Sequence, residues 1–333
     1  MWFNQLMGFE EISRDYVHGN ISLEGNRIKS KFNGKSFQAG KLEIPALEAL
    51  RKRVDLKVFA GKLKLSQVVA NVQELHCDLE NEGALFQAAS QFNLLEMIDP
   101  DISPEKGVDI YDRDRTQGPA CAVACGAGTI YRNYFAPLNG QIGQTVYDQV
   151  DCLELIGEAL GNEDHQLWEM KNGYALMSLE GILNINKQIS QFDEQSREAL
   201  KGKLKIGIQW DTEVTLEERG HLVSQAYCSA LPVAYSLIES WYWASFARVI
   251  LEATYEATLW AALANFEKTG NKTVFLTLVG GGAFGNRMEW ILESLMIALK
   301  KFQDTNLDVR IVSYGKSDDA VAKLIDEFMN DSY

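Results

Sequence analysis

The chain has 333 residues, 46% of them apolar and 10% aromatic, enough for one large domain or two ordinary ones. Its net charge of −14 argues against general affinity for nucleic-acid backbones or anionic membranes. No window approaches the roughly 20 uncharged apolar residues of a membrane span, and an odd set of widely spaced cysteines (77, 121, 125, 152, 228) is no disulfide framework. The start Met1–Trp2–Phe3–Asn4 shows neither a basic segment nor a continuous apolar run, so a reducing cytoplasm is the expected location.

Residues 1–52 read as an N-terminal extension. Ser22–Asn26 is a turn signal, and 28–32 and 36–39 alternate around Asn33–Gly34 as a β-hairpin. Pro45 opens a short helix through Leu47 and Leu50. Leu56–Ala60 and Gln67–Val72 read as strands, with His76–Cys77–Asp78 at a strand end. Gly83–Ser90 reads as the start of a helix that Asp99–Pro100 stops. Residues 99–118 form a long polar loop, a length that points to function or disorder. Pro119 then opens a helix of small residues, Ala120–Gly128, and Asn139–Gly140 turns the chain. Helices are expected near 153–160 and 179–189, and strands at 174–177, 205–210 and 222–228. The run 237–266, interrupted by Glu239, Arg248, Glu252 and Glu256, is a long buried helix. A last amphipathic helix begins near Lys316–Asp319.

Between these two helices lies the most informative stretch. Val274–Val279 is a buried strand, Gly280–Asn286 a glycine-rich turn, 287–301 a helix and Leu307–Val312 a returning strand, together a βαβ unit. Glycines at a strand–helix junction let a ligand approach the backbone, and the helix N-terminus offers free N–H groups to an anion, naturally a phosphate. Gly280-x-Gly282-x-x-Gly285 also fits the dinucleotide fingerprint. The returning strand, however, ends at Ser313–Tyr314 with no acid for an adenosine ribose, and there is no Gly-Lys-Ser/Thr of a P-loop.

The block Thr273–Gly315 resembles the C-terminal part of a macrodomain, the ADP-ribose-binding module, whose loop has the form Gly-x-Gly-(Val/Ala/Ile)-(Phe/Tyr)-Gly-(Asn/Tyr). Gly83–Ala89 resembles its Gly-Ala-Ile-x-x-Ala-Ala helix, and the strand before it ends near Asn71. The segment 91–100 resembles the signature of the poly(ADP-ribose) glycohydrolase branch, closest in motif style though divergent: Gln91 and the proline step match, but Phe92 and Asn93 replace the two catalytic glutamates. The adenine-binding Gly-Asp-(Ile/Val) corresponds at best to Gly61–Lys62–Leu63. The resemblance covers about 120 residues. It implies an α/β fold with a macrodomain-like mixed central sheet flanked by helices: residues 53–333 as one elaborated domain with insertions, and residues 1–52 as an extension packed on it.

By the same resemblance, Gly281–Gly285 wrap the pyrophosphate and distal ribose. Phe284 packs on that ribose, with Gly280, Ala283 and Asn286 completing the loop, and Gln91, Asn93 and Asn71 place the substrate. Cleaving a glycosidic bond still needs a carboxylate. The loop 99–118 offers Asp112 or Asp114 as general base with Asp109 assisting, interleaved with Arg113, Arg115 and Gln117. The expected activity is removal of ADP-ribose from a modified protein or conjugate. The alternatives are a non-catalytic ADP-ribose reader and another nucleotide-phosphate-binding enzyme. ADP-ribose or an ADP-ribosylated protein is the expected partner, with no nucleic acid and no membrane. No cofactor is expected, and a divalent metal at the aspartate loop is left open. Cys121 and Cys125 share a helix face, but without a second Cys/His pair they read as packing.

Overall fold

A computed structural model describes residues 1–331. At its centre is a seven-stranded mixed sheet. We number its strands in chain order: β1 (Lys41–Glu43), β2 (Lys64–Val69), β3 (Leu85–Ala89), β4 (Gly207–Glu213), β5 (Leu222–Cys228), β6 (Thr273–Leu276) and β7 (Asp308–Ser313). Their spatial order is β1-β4-β5-β3-β6-β7-β2. The run β5-β3-β6-β7-β2 is parallel throughout, and β4 pairs antiparallel with both β5 and β1. All the parallel strands therefore end at one edge of the sheet, where α/β folds place their ligands.

Both faces are covered. The helix Ser240–Thr269 crosses one face and is buried without a break from Val249 to Asn265, and the two acids inside that stretch are paired, Glu252 with Arg197 and Glu256 with Arg51. Helices Leu47–Arg53, Leu179–Ile189, Glu194–Gly202 and Met288–Phe302 pack against it. Val72–Cys77, Gln117–Ala124 and Gly126–Tyr134 cover the opposite face. A second core lies beneath that helix pair, where Trp2, Phe3, Met7, Phe9, Val17 and Ile28 meet Leu95, Met97, Val108, Tyr111 and Ile130. No helix is long and apolar enough to cross a membrane, among the described residues.

The expected βαβ unit forms as read: β6, the helix Met288–Phe302 and β7, with Val274 opposite Val309 and Leu276 opposite Ile311. The hairpin is also present, as Arg27–Ser30 paired with Ser36–Gln38. Other expectations fail for identifiable reasons. Gly83–Ser90 is not a helix. Its residues Leu85–Ala89 are β3, paired in parallel on both sides, with Leu85, Phe86, Gln87 and Ala88 all buried. Such a doubly covered strand shows no alternation and mimics a helix of small residues. Gln87 survives there because Thr258 Oγ1 accepts from its Nε2 at 2.8 Å and its Oε1 accepts from Thr277 N at 3.2 Å. Leu56–Phe59 is a 3₁₀ turn rather than a strand: Asp55 accepts from Lys57 N, and Val58 points to solvent. His76 and Cys77 belong to the helix Val72–Cys77, not to a strand end. The strand expected at 205–210 runs instead over Gly207–Glu213, where Asp211 pairs with Lys268 and Glu213 accepts from Gln38 N.

Candidate active site at the carboxyl edge of the sheet

A groove of about 1220 Å³ opens where the parallel strands end. Ala70–Gln73 follow β2, Thr277 and Leu278 follow β6, Val312 and Ser313 end β7, and Tyr314 with Lys316–Ala320 follow it. Tyr111–Thr116 and the start of the helix Gln117–Ala124 form the opposite wall, and Met1, Trp2 and Gln5 close one end. Arg115 and Lys316 bring positive charge. The N-terminus of the helix Gln117–Ala124 adds its dipole, while Asp112, Asp114, Asp318 and Asp319 line the same groove, so positive potential is confined to the neighbourhood of Arg115, Lys316 and the helix terminus.

Local chemistry places each wall. Asn71 leaves β2 and caps the helix Val72–Cys77, its side chain accepting from Gln73 N at 3.0 Å. The segment Gly61–Lys62–Leu63 enters β2 at the other edge, where Gly61 N and Leu63 N donate to Asp304 O and Gln303 O, so it does not border the groove. Gln117 fastens the aspartate loop to the central strand: its Oε1 accepts from Ala89 N at 2.9 Å and its Nε2 donates to Gln87 O at 2.7 Å. Gly118 sits so close to that strand that a Cβ would fall 1.9 Å from Ala89 O and 2.4 Å from Glu96 Oε2. Gly118→Ala should therefore displace the loop and destabilise the fold by roughly 1–3 kcal/mol, the usual range for overpacking. A chemical denaturation curve with unchanged stability would contradict that packing.

Among the predicted catalytic residues, Asp112 and Asp114 both border the groove. Asp112 is exposed, and Asp114 is partly buried and accepts from Thr116 N at 2.8 Å. Asp109 faces away, accepting from Phe3 N at 3.1 Å. Its carboxyl is pushed up by burial and by the charge of Asp112. Asn71 borders the groove, whereas Gln91 and Asn93 do not. Gln91 Oε1 accepts from Met97 N, and Asn93 holds Leu95 N and Gln149. Both amides fold the 90–98 turn instead of facing a ligand.

The glycine loop starts at the same edge, directly after Thr277 and Leu278. Gly281, Gly282 and Ala283 are exposed, and a Cβ on Gly282 would meet nothing. The ring of Phe284 packs between Tyr174 and Tyr235, at 5.3 and 5.7 Å. Asn286 is buried, donating to Leu231 O at 2.8 Å, while its backbone N–H closes the loop onto Gly280 O. The loop is thus stapled to the 230–235 segment from behind and presents its glycine backbone outward.

Sequence reasoning missed the charged floor of this region. Glu96 is buried against Gly118, its backbone N–H donating to Tyr111 Oη at 3.0 Å and its Oε1 without a partner. Burial holds its carboxyl well above the usual range; Arg132 pulls against this and Asp114 adds to it. Arg132 is fully buried 3.6 Å over the Tyr227 ring and donates to Leu94 O and Thr129 Oγ1. Glu96 lies in the segment 91–100 that resembles the glycohydrolase signature, three positions past the site of the missing glutamates. A charged residue inside an apolar turn was the available signal. Among the described residues no group of three or more His, Cys, Asp or Glu side chains is placed to hold a metal ion.

The chain is similar to poly(ADP-ribose) glycohydrolase from Deinococcus radiodurans in complex with ADP-ribose, at 9% identity and a TM-score of 0.44, over 87% of this chain and 94% of that one. It is also similar to poly(ADP-ribose) glycohydrolase from Thermomonospora curvata bound to the inhibitor ADP-HPD, at 9% identity and a TM-score of 0.45, over 94% and 95%. No protein-family pattern and no curated protein matches. At such identities and scores the likeness assigns no residue its role.

Proposed function

We propose that the chain binds ADP-ribose in this groove and hydrolyses the bond that joins it to a protein or other conjugate. The observation that carries the reading is the meeting of two distant stretches. The aspartate loop, at Asp112–Thr116, and Thr277–Leu278, which lead into the glycine loop, line one groove at the carboxyl edge of the parallel strands. In this reading the diphosphate lies along the exposed backbone of Gly281–Ala283, with Arg115 and Lys316 balancing its charge. Asn71 stands on the wall after β2. Asp112 or Asp114 accepts a proton from water as the bond to the anomeric carbon breaks, and the departing group takes up a proton as it leaves. Glu96, its carboxyl pushed up by burial, backs the helix terminus from below.

Calorimetry with ADP-ribose, NAD and AMP tests the ligand, and release of ADP-ribose from an ADP-ribosylated protein tests the chemistry. Preference for ADP-ribose with release is the expected result. Preference without release makes the chain a reader, and no preference removes ADP-ribose altogether. Gly282 offers a clean probe, because a side chain there meets no protein atom. Gly282→Ala should fold normally. Gly282→Glu should fold as well and yet weaken ADP-ribose binding about tenfold or more, by setting a carboxylate against the diphosphate. Equal binding by both variants would move the diphosphate off the loop.

A further inference from the structure

We propose that Glu11 is a positioning residue for the aspartate loop, and that the N-terminal segment is a working wall of the groove. This rests on the reading that the groove binds ADP-ribose. The two walls at this end come from segments about 100 residues apart: Met1, Trp2 and Gln5 on one side, Tyr111, Asp112 and Asp114 on the other. A reciprocal clasp joins them. Glu11 Oε1 accepts from Val108 N at 2.9 Å and from Tyr134 Oη at 2.8 Å, and its Oε2 accepts from Asp109 N at 2.7 Å. In return Asp109 Oδ1 accepts from Phe3 N at 3.1 Å, and Val108 O accepts from Trp2 Nε1 at 3.2 Å. Gly107 has φ +83°, and a Cβ there would fall 2.4 Å from Glu11 Oε2, so only glycine at this position leaves the carboxylate its place.

The chemistry demands a carboxylate. Two consecutive N–H groups point at its two oxygens, and an amide in its place would turn an NH₂ group toward one of them. The ionisable groups around it are Asp109 and Tyr111 of the loop and Tyr134 of the helix Gly126–Tyr134, with His18 against the Tyr134 ring. Burial pushes the Glu11 carboxyl up to about 7, against the hydrogen bonds it accepts. Because closure raises this carboxyl above the 4.5 of a free one, the closed clasp holds its proton more firmly than an open one does, so the clasp loosens as pH rises from 4.5 through 7.

Amide exchange at Val108 and Asp109, together with ADP-ribose calorimetry, tests this on either side of pH 7 in the full chain. Wild type should show stronger protection and tighter binding on the acid side. Glu11→Gln should lose protection at both amides, bind about tenfold more weakly, as when a buried donor loses its acceptor, and show no pH step. Tyr134→Phe should keep the protection. Trp2→Phe, which removes only the bond to Val108 O, should shift protection in the same direction by less, and serves if Glu11→Gln does not fold. Wild-type protection and pH response in Glu11→Gln would overturn the inference. Amide exchange needs no ligand, so a wild type that ignores ADP-ribose would remove the functional reading while the clasp is still decided.

Discussion

Asp112→Ala combined with Asp114→Ala should cut release of ADP-ribose about 10²–10⁴-fold, the usual contribution of a general base. The double variant should fold as the wild type does. Asp112 is exposed, and Asp114 contributes one short-range bond to Thr116 N, so the stability change should stay within about 1 kcal/mol. It should bind ADP-ribose at least as tightly, because two negative charges leave a groove proposed for a diphosphate. Loss of turnover with retained binding is the signature of a base rather than of a binding contact. Full release by the double variant would exclude both aspartates and move the search to Glu96, the buried carboxyl beside Gly118.

The second large effect lies on the other face of the sheet. Glu256 Oε1 and Oε2 receive Arg51 at 2.7 and 2.8 Å, Lys301 reaches Oε1 at 2.5 Å, and Trp260 Nε1 donates at 3.1 Å. The Glu256 side chain is 4% exposed, and Glu198 shares both cations. Glu256→Ala leaves two cations short of a buried counter-charge, which should cost about 3–5 kcal/mol and lower Tm by roughly 4–7 °C in a chain of this length. Burial raises the Glu256 carboxyl, but bonds from Arg51 and Lys301 outweigh it and hold it down to about 2. A depressed carboxyl stabilises the fold above its ordinary value of 4.5, and that contribution fades as pH falls toward 2. The Tm gap between wild type and variant should therefore narrow over that interval. A gap unchanged across it would mean the loss is one of packing.

Much of the architecture is legible residue by residue. The stretch from Thr273 to Ser313 carries its own strand, glycine turn, helix and strand. Each follows from local rules: β-branched and aromatic residues, then glycines, then apolar residues at helical spacing. The hairpin around Asn33–Gly34 and the cap at Asn71 are equally local. The aspartate loop was also visible as a candidate, because charges of both signs crowd a long segment that leads into a helix of small residues.

The glycine loop, the aspartate loop and the acidic composition were thus determined by the sequence alone, since each depends on neighbours a few positions away. What only the tertiary structure decided is that the aspartate loop faces Thr277 and Leu278, which lead into the glycine loop, across one groove. Leu85–Ala89 became a strand because parallel partners cover it on both sides, a condition no local window contains. Asp109 turned from the groove toward Phe3, Gln91 and Asn93 were spent on folding their own turn, and Asn71 reached the wall from a strand at the far edge. Glu96 gained its buried position, and Glu11 its two backbone donors, from segments distant in the chain. Hydrogen-bond partners and desolvation are set by whatever packs against a group, and in this fold those neighbours lie tens to hundreds of residues away.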